Sequence, residues 1–87
     1  MQYCTYAHYT PSGSIFYIGK GSEFRSTTKK NRNKKWHEIV NSNDGFKSEI
    51  LARWDSEDEA LDHEKFLIET FRMMGCDLVN ITSGGQG

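Results

Sequence analysis

The sequence has few cysteines and no long apolar run. Its two cysteines, Cys4 and Cys76, lie near opposite ends of 87 residues, without the close, even spacing of a disulfide framework or of paired metal-binding knuckles. We therefore expect two free thiols, as in a reducing cytosol. No stretch of about 18 apolar residues and no charged-then-apolar signal segment is present. These absences predict a cytoplasmic protein with no membrane partner.

Charge is nearly balanced in total but unevenly distributed along the chain. The formal net charge is -1, yet residues 1–37 contain seven Lys or Arg against one acid, Glu23, whereas residues 38–87 contain four against eleven. A domain with this asymmetry can present a basic face to a polyanion such as nucleic acid. A solvated lysine-rich loop explains the same cluster equally well.

The first twenty residues predict a β-hairpin. Two aromatic and β-branched runs, 2–9 and 14–19, flank the turn-forming residues 10–13. A loop of this length places Tyr6 directly opposite Tyr17, so that the two phenols share one sheet face. An aromatic cross-strand pair that only packs is the common alternative.

The remaining pattern predicts an α+β domain. Residues 31–41 indicate a short helix and residues 46–54 a third strand, with 20–30 as loop or the start of that helix. Ser56 and Glu59 form a capping box, which predicts a helix that runs from 57 toward 73 and stops at Gly75. The order β-β-α-β-α indicates a small three-stranded antiparallel sheet flanked by helices.

Glu64 lies within the apolar stripe of the long helix. A carboxylate that faces a core is costly unless a cation, a metal ion or strong hydrogen-bond donors compensate it. A salt-bridged structural glutamate is one explanation, and a metal ligand for phosphate chemistry is the other. The stripe consists of Ala60, Leu61, Leu67, Ile68 and Phe71.

The segment after the hairpin carries groups that suit phosphate. Gly19-Lys20-Gly21 would allow the backbone to approach a phosphate, and the planar fork of Arg25 suits bidentate phosphate recognition. Further cations would follow a nucleic-acid backbone, with salt-sensitive affinity and no base specificity. These cations are Lys29, Lys30, Arg32, Lys34 and Lys35.

Taken as an ordered set over nearly the whole chain, several motifs resemble those of the GIY-YIG nuclease family. Cys4-Thr5 replaces the Gly-Ile of the first motif and keeps its tyrosine, and the histidine or tyrosine that some members place one turn after the arginine is absent. The helix segment 63–68 is similar to the family helix with the metal-binding glutamate, and 78–81 to the closing segment with its structural asparagine. The matching residues are Tyr6, Tyr17-Ile18-Gly19-Lys20, Arg25, Glu64 and Asn80.

The resemblance implies a divalent-metal-dependent DNA endonuclease with one Mg²⁺ or Mn²⁺ ion per active site. It implies that Glu64 holds the ion, that Tyr6 or Tyr17 is the general base, and that Arg25 stabilises charge on the phosphorane. Lys20 and His37 are further catalytic candidates, as a nearby cation and as an acid/base group. Gly19 and Asn80 are expected to support the site structurally.

The same resemblance implies how the chain is organised and where it acts. Residues 1–82 would form the catalytic domain, and the Gly-rich residues 83–87 the start of a linker to a DNA-binding region. DNA is the expected partner of a monomer or transient dimer in a bacterial host cell, and the enzyme would be of a phage or homing type. Two alternatives stay open: a non-catalytic DNA-binding module with the nuclease fold, and a small structural or interaction domain.

Overall fold

One antiparallel sheet and two helices make up the part of the chain that the computed structural model describes, residues 2–80. The α+β class and the predicted order β-β-α-β-α are confirmed. A short 3-10 turn (Phe24–Thr27) follows the second strand, and the strand order in the sheet is β2-β1-β3. The elements are β1 (Tyr3–Tyr9), β2 (Ile15–Gly21), α1 (Lys34–Asn43), β3 (Lys47–Trp54) and α2 (Glu57–Met73).

The register of the hairpin differs from the sequence prediction. Tyr6 pairs with Gly19, and Tyr17 pairs with His8. The pairing is offset by one residue because the loop, residues 10–14, is one residue longer than predicted. It is offset by a second residue because the register shifts between His8 and Tyr9, which leaves Phe16 as an extra residue in β2. Because side chains alternate with period two, a total shift of two residues still leaves both tyrosines on one face.

Each face of the sheet carries its own cluster of buried side chains. Neighbouring residues such as Tyr6 and Ala7 point to opposite faces. One cluster contains Cys4, Tyr6, Phe16, Tyr17, Trp36 and Val40. The other contains Ala7, Ile18, Ile68 and Leu78. Helix α1 contributes to the first cluster and α2 to the second, so the sheet is the middle layer of the domain.

The ends of both helices are set by local polar contacts. Ser56 Oγ accepts a hydrogen bond from the backbone N–H of Glu59 at 3.2 Å and donates to the Glu59 carboxylate at 3.0 Å, which confirms the capping box. Gly75, with φ of 90°, follows the end of α2. Helix α1 begins later than predicted because Asn33 caps it, accepting from the N–H of Trp36 at 2.9 Å.

The outer edge of β2 is covered by the chain that follows α2. The N–H of Val79 donates to the carbonyl of Phe16 at 2.8 Å. The Asn80 side chain then accepts from the N–H of Ile18 at 3.1 Å and donates to the Ile18 carbonyl at 2.6 Å. Since each contact satisfies an edge group of the strand, the segment holds β2 at the position of Tyr17 and Gly19.

Both cysteine thiols are free, as predicted, with Cys4 buried and Cys76 partly so. Between residues 2 and 80, neither helix has the length and apolar character needed to cross a membrane. The predicted Gly-rich tail, 83–87, lies outside the described residues.

Candidate functional site

Arg32 joins the two tyrosines at the centre of the first cluster. Tyr6 and Tyr17 are each 1% exposed, and the Arg32 guanidinium carbon lies 5.4 Å from the Tyr6 ring centroid and 5.2 Å from that of Tyr17. Arg32 Nη1 donates to the Tyr6 hydroxyl at 2.8 Å. The structure therefore brings both predicted phenols together around a cation that the sequence did not assign to them.

The burial of Arg32 corrects its predicted place among the surface cations. Arg32 is 7% exposed, and its remaining N–H groups donate to the carbonyls of Thr28 at 3.0 Å and Arg25 at 2.5 Å. A buried guanidinium is tolerated only where its donors are satisfied, and carbonyls, a phenol and aromatic faces meet that need here. No pattern in the sequence indicated this, because Arg32 precedes α1 and belongs to no apolar period.

His8 is a second residue of the cluster that sequence reasoning missed. It is fully buried, its Nε2 donates to the Ser26 carbonyl at 2.6 Å, and its Nδ1 accepts from the Trp36 indole at 2.9 Å. Its ring stacks on Tyr17, with centroids 5.4 Å apart. Burial lowers the pKa of His8 to about 4, so the imidazole is neutral at pH 7. Its two hydrogen bonds hold the ring in one orientation. The signal that could have indicated this is its position two residues after Tyr6, which puts both side chains on the same face of a strand.

Burial also dominates the acidity of the two phenols. Desolvation raises the pKa of Tyr6 and of Tyr17 above the ordinary tyrosine value. The charge and hydrogen bonding of Arg32 act in the opposite direction on both, and the charge of Arg25 does so on Tyr6. Because the effect of burial is the larger one, both phenols are protonated at neutral pH. The nearby cations, which were expected to lower the pKa of a catalytic tyrosine, reduce the upward pKa shift without reversing it.

Glu64 lies within electrostatic range of both phenols. It is 2% exposed on the buried side of α2, between Ala60 and Ile68. Its negative charge raises the pKa of Tyr6 and of Tyr17, as the last and smallest of the causes. Glu64 is thus contributed by α2, the helix that packs on the other face of the sheet from the tyrosine cluster.

Glu64 is the carboxylate that the sequence predicted as a metal ligand. Among residues 2–80, no group of three or more His, Cys, Asp or Glu side chains is arranged to hold a metal. Mg²⁺ commonly keeps several waters and binds through one or two carboxylates together with substrate phosphate, so Glu64 alone meets the minimum protein contribution.

Gly19 is required by the packing of Tyr6. The Tyr6 side chain passes directly over Gly19, and a Cβ at this position would clash with the ring at Cζ and with the hydroxyl. The absence of a side chain thus allows the phenol to lie flat against β2 and reach Arg32. Gly19 thus has a steric reason in the fold.

Arg25 stands beside the cluster and fixes the loop that follows it. Its Nη1 donates to the Lys30 carbonyl at 2.6 Å and its Nη2 to the Asn31 carbonyl at 3.1 Å, while its backbone carbonyl receives Arg32. Asn31 has a positive φ of 59°. Arg25 is partly exposed.

The other predicted residues lie further from the phenols. Lys20 forms an ion pair with Glu57 of α2, with Nζ and Oε2 3.5 Å apart. His37 is exposed, and its ring lies edge-on to Trp36 with centroids 5.0 Å apart, on the outside of α1. The cations that are exposed, as a nucleic-acid surface requires, are Lys29, Lys30, Lys34 and Lys35.

Comparisons with known proteins found no matching family model, curated protein or solved structure.

Proposed function

We propose that this domain is a divalent-metal-dependent DNA endonuclease of the GIY-YIG type. The observation that carries the proposal is the buried pair Tyr6 and Tyr17, bridged by Arg32, with the charge of Glu64 acting on both phenols. Buried titratable groups with opposed charged neighbours are typical of catalytic sites. The exposed cations after β2 supply the electrostatic attraction that a polyanionic substrate needs.

In this proposal, Glu64 holds one Mg²⁺ or Mn²⁺ ion, which when bound polarises a phosphate oxygen and stabilises the leaving group. Arg25, which is partly exposed, contacts the phosphate and neutralises charge that develops on it. Asn80 keeps β2, and with it Tyr17, in place through its two hydrogen bonds to Ile18.

The proton transfer falls to one of the phenols. A water oxygen bonds to phosphorus, the bond from phosphorus to the 3' oxygen breaks, the water proton passes to a tyrosinate, and the departing 3' oxygen takes a proton from solvent. Since burial raises the pKa of both tyrosines, the tyrosinate is scarce at neutral pH, and cleavage accelerates as pH rises toward the phenol pKa. Arg32 favours the ionised form of both tyrosines and is thus a positioning residue of the proposed base.

Conversion of supercoiled plasmid DNA to nicked or linear product tests this function. Wild-type protein is expected to cut with Mg²⁺ or Mn²⁺ and to stop when EDTA is added. Glu64→Gln, which removes charge and preserves shape, should slow cleavage by about a hundredfold or more, the scale seen when a transition-state contact is lost. The matched control is Glu69→Gln, an exposed glutamate on the same helix, which should cut at the wild-type rate.

Two results would remove the proposal. One is cutting by Glu64→Gln at the wild-type rate, and the other is no cutting by wild-type protein with any divalent ion. Circular dichroism of each variant separates loss of the site from loss of the fold.

A DNA-binding module without cleavage is the second candidate, and burial is the observation that favours it. Tyr6, Tyr17 and Glu64 are between 1% and 2% exposed, whereas the four lysines between 29 and 35 are exposed. A phosphate that approaches the phenols must displace groups that cover them. This candidate predicts salt-sensitive DNA binding that survives EDTA, with no cleavage.

A further inference from the structure

Phe24 is an aromatic side chain that the fold holds out in solvent. It opens the 3-10 turn and is 80% exposed, although a phenyl ring gains free energy from burial. Ser26, two residues later in the same turn, is 2% exposed. The turn therefore has one buried polar side and one exposed aromatic side. A turn that serves only to pack would bury its aromatic side chain and expose its polar one.

The turn that carries Phe24 is fixed to the rest of the domain. The Ser26 carbonyl accepts hydrogen bonds from His8 at 2.6 Å and from Ser48 at 2.7 Å, and Ser26 Oγ donates to the Glu23 carbonyl at 2.5 Å. The Arg25 carbonyl accepts from Arg32. Because buried groups hold the backbone on both sides, the exposed ring is presented at a defined position.

A cleft of about 630 Å³ lies beside the ring and is lined by cations. Its walls include Phe24, Arg25, Thr27, Lys29 and Lys30. Glu23, the one acid in residues 1–37, forms an ion pair with Arg53 of β3, which neutralises its charge. The cleft thus combines an aromatic face, a hydroxyl and the positive charges of Arg25, Lys29 and Lys30.

We propose that Phe24 and this basic cleft bind an unstacked nucleobase of DNA, with the base against the ring and its flanking phosphates on Lys29 and Lys30. Stacking on an aromatic side chain and cationic contacts to the backbone are the two components of single-strand recognition. The inference depends on the proposed function for the identity of the polymer as DNA. It adds a preference for single-stranded or locally opened DNA over fully paired duplex.

Fluorescence anisotropy in EDTA at low salt tests the inference, with a labelled single-stranded oligonucleotide and the matching duplex as probes. Wild-type protein should bind the single strand more tightly than the duplex. Phe24→Ala should weaken single-strand binding by about tenfold to a hundredfold, the range that stacking on one base produces, whereas Phe24→Trp should keep it. Phe66→Ala, at a 62% exposed phenylalanine on α2, is the matched control and should bind as wild type.

Equal affinity of Phe24→Ala and wild type for the single strand would overturn the inference. Equal losses on single strand and duplex would also overturn it, because they would indicate insertion into the paired helix. The plasmid assay separates this failure from that of the proposed function. Metal-dependent cutting without a Phe24 effect refutes only the base site, and a Phe24 effect without cutting refutes only the nuclease.

Discussion

The two faces of the sheet are stabilised in different ways. On one face, Tyr6, His8 and Trp36 are joined by directional hydrogen bonds and ring contacts around Arg32. On the other face, Ala7, Ile18, Ile68 and Leu78 form an apolar cluster, with Thr5 hydrogen-bonded to His63 of α2 at 2.8 Å. Directional contacts fix positions, whereas apolar packing depends mainly on volume. A change of charge should therefore alter the free energy of unfolding most on the face that contains Arg32.

The largest effect is expected from Arg32→Met, which keeps an unbranched side chain and removes the guanidinium. The Tyr6 hydroxyl and the carbonyls of Thr28 and Arg25 lose their donor. We expect the free energy of unfolding to fall by about 4 kcal/mol, since buried partners of a charge are left unsatisfied. Urea denaturation at pH 7 measures it.

Lys35→Met is the matched control for Arg32, because Lys35 is exposed near the start of α1. Its free energy of unfolding should stay within about 0.5 kcal/mol of wild type. A loss below about 1 kcal/mol for Arg32→Met would mean that the polar network contributes little to the stability of this face.

A second, slightly smaller effect is expected from pH through His8. Burial lowers its folded pKa from 6.5 to about 4, so between these values the unfolded chain takes up the proton and the folded chain does not. The stabilisation is complete above pH 6.5 and is lost as pH falls toward 4. We expect this residue to account for about 3 kcal/mol of that loss.

Urea denaturation of wild type and His8→Gln between pH 7 and pH 4 measures this contribution. The amide of glutamine can donate and accept as His8 does but does not titrate, so the variant should lose less stability with acid. His37→Gln, at an exposed histidine of α1, should follow the wild-type curve. Parallel curves for His8→Gln and wild type would exclude His8 as the acid-sensitive group.

The smallest effect is expected on the apolar face, from Ile68→Val. Ile68 is 1% exposed, and removal of one methylene from a packed site costs about 1 kcal/mol. Because no charged group is changed, the difference from wild type should be the same at pH 7 and pH 5. A difference that changes with pH would show that the stability of this face depends on titrating groups elsewhere, and that the two faces are coupled.

Local sequence signals were reliable where one short contact decides the structure. Ser56 and Glu59 predicted the start of α2 because the cap is made within four residues. The fold class followed from the alternation of apolar residues. The hairpin register was wrong, since a bulge at Phe16 leaves no mark in the alternation of a strand that is buried on both faces. Arg32 and His8 were missed because their partners are distant along the chain.

The sequence by itself determined that this chain forms a small α+β layer with two tyrosines on one sheet face, because periodicity and capping act over a few residues. Only the tertiary structure decided which cation meets those tyrosines, that Tyr6 lies over Gly19, and that Phe24 stays outside. The reason is that burial and long-range hydrogen bonds depend on how the layers meet. A residue type such as arginine is equally compatible with a surface and with a satisfied interior.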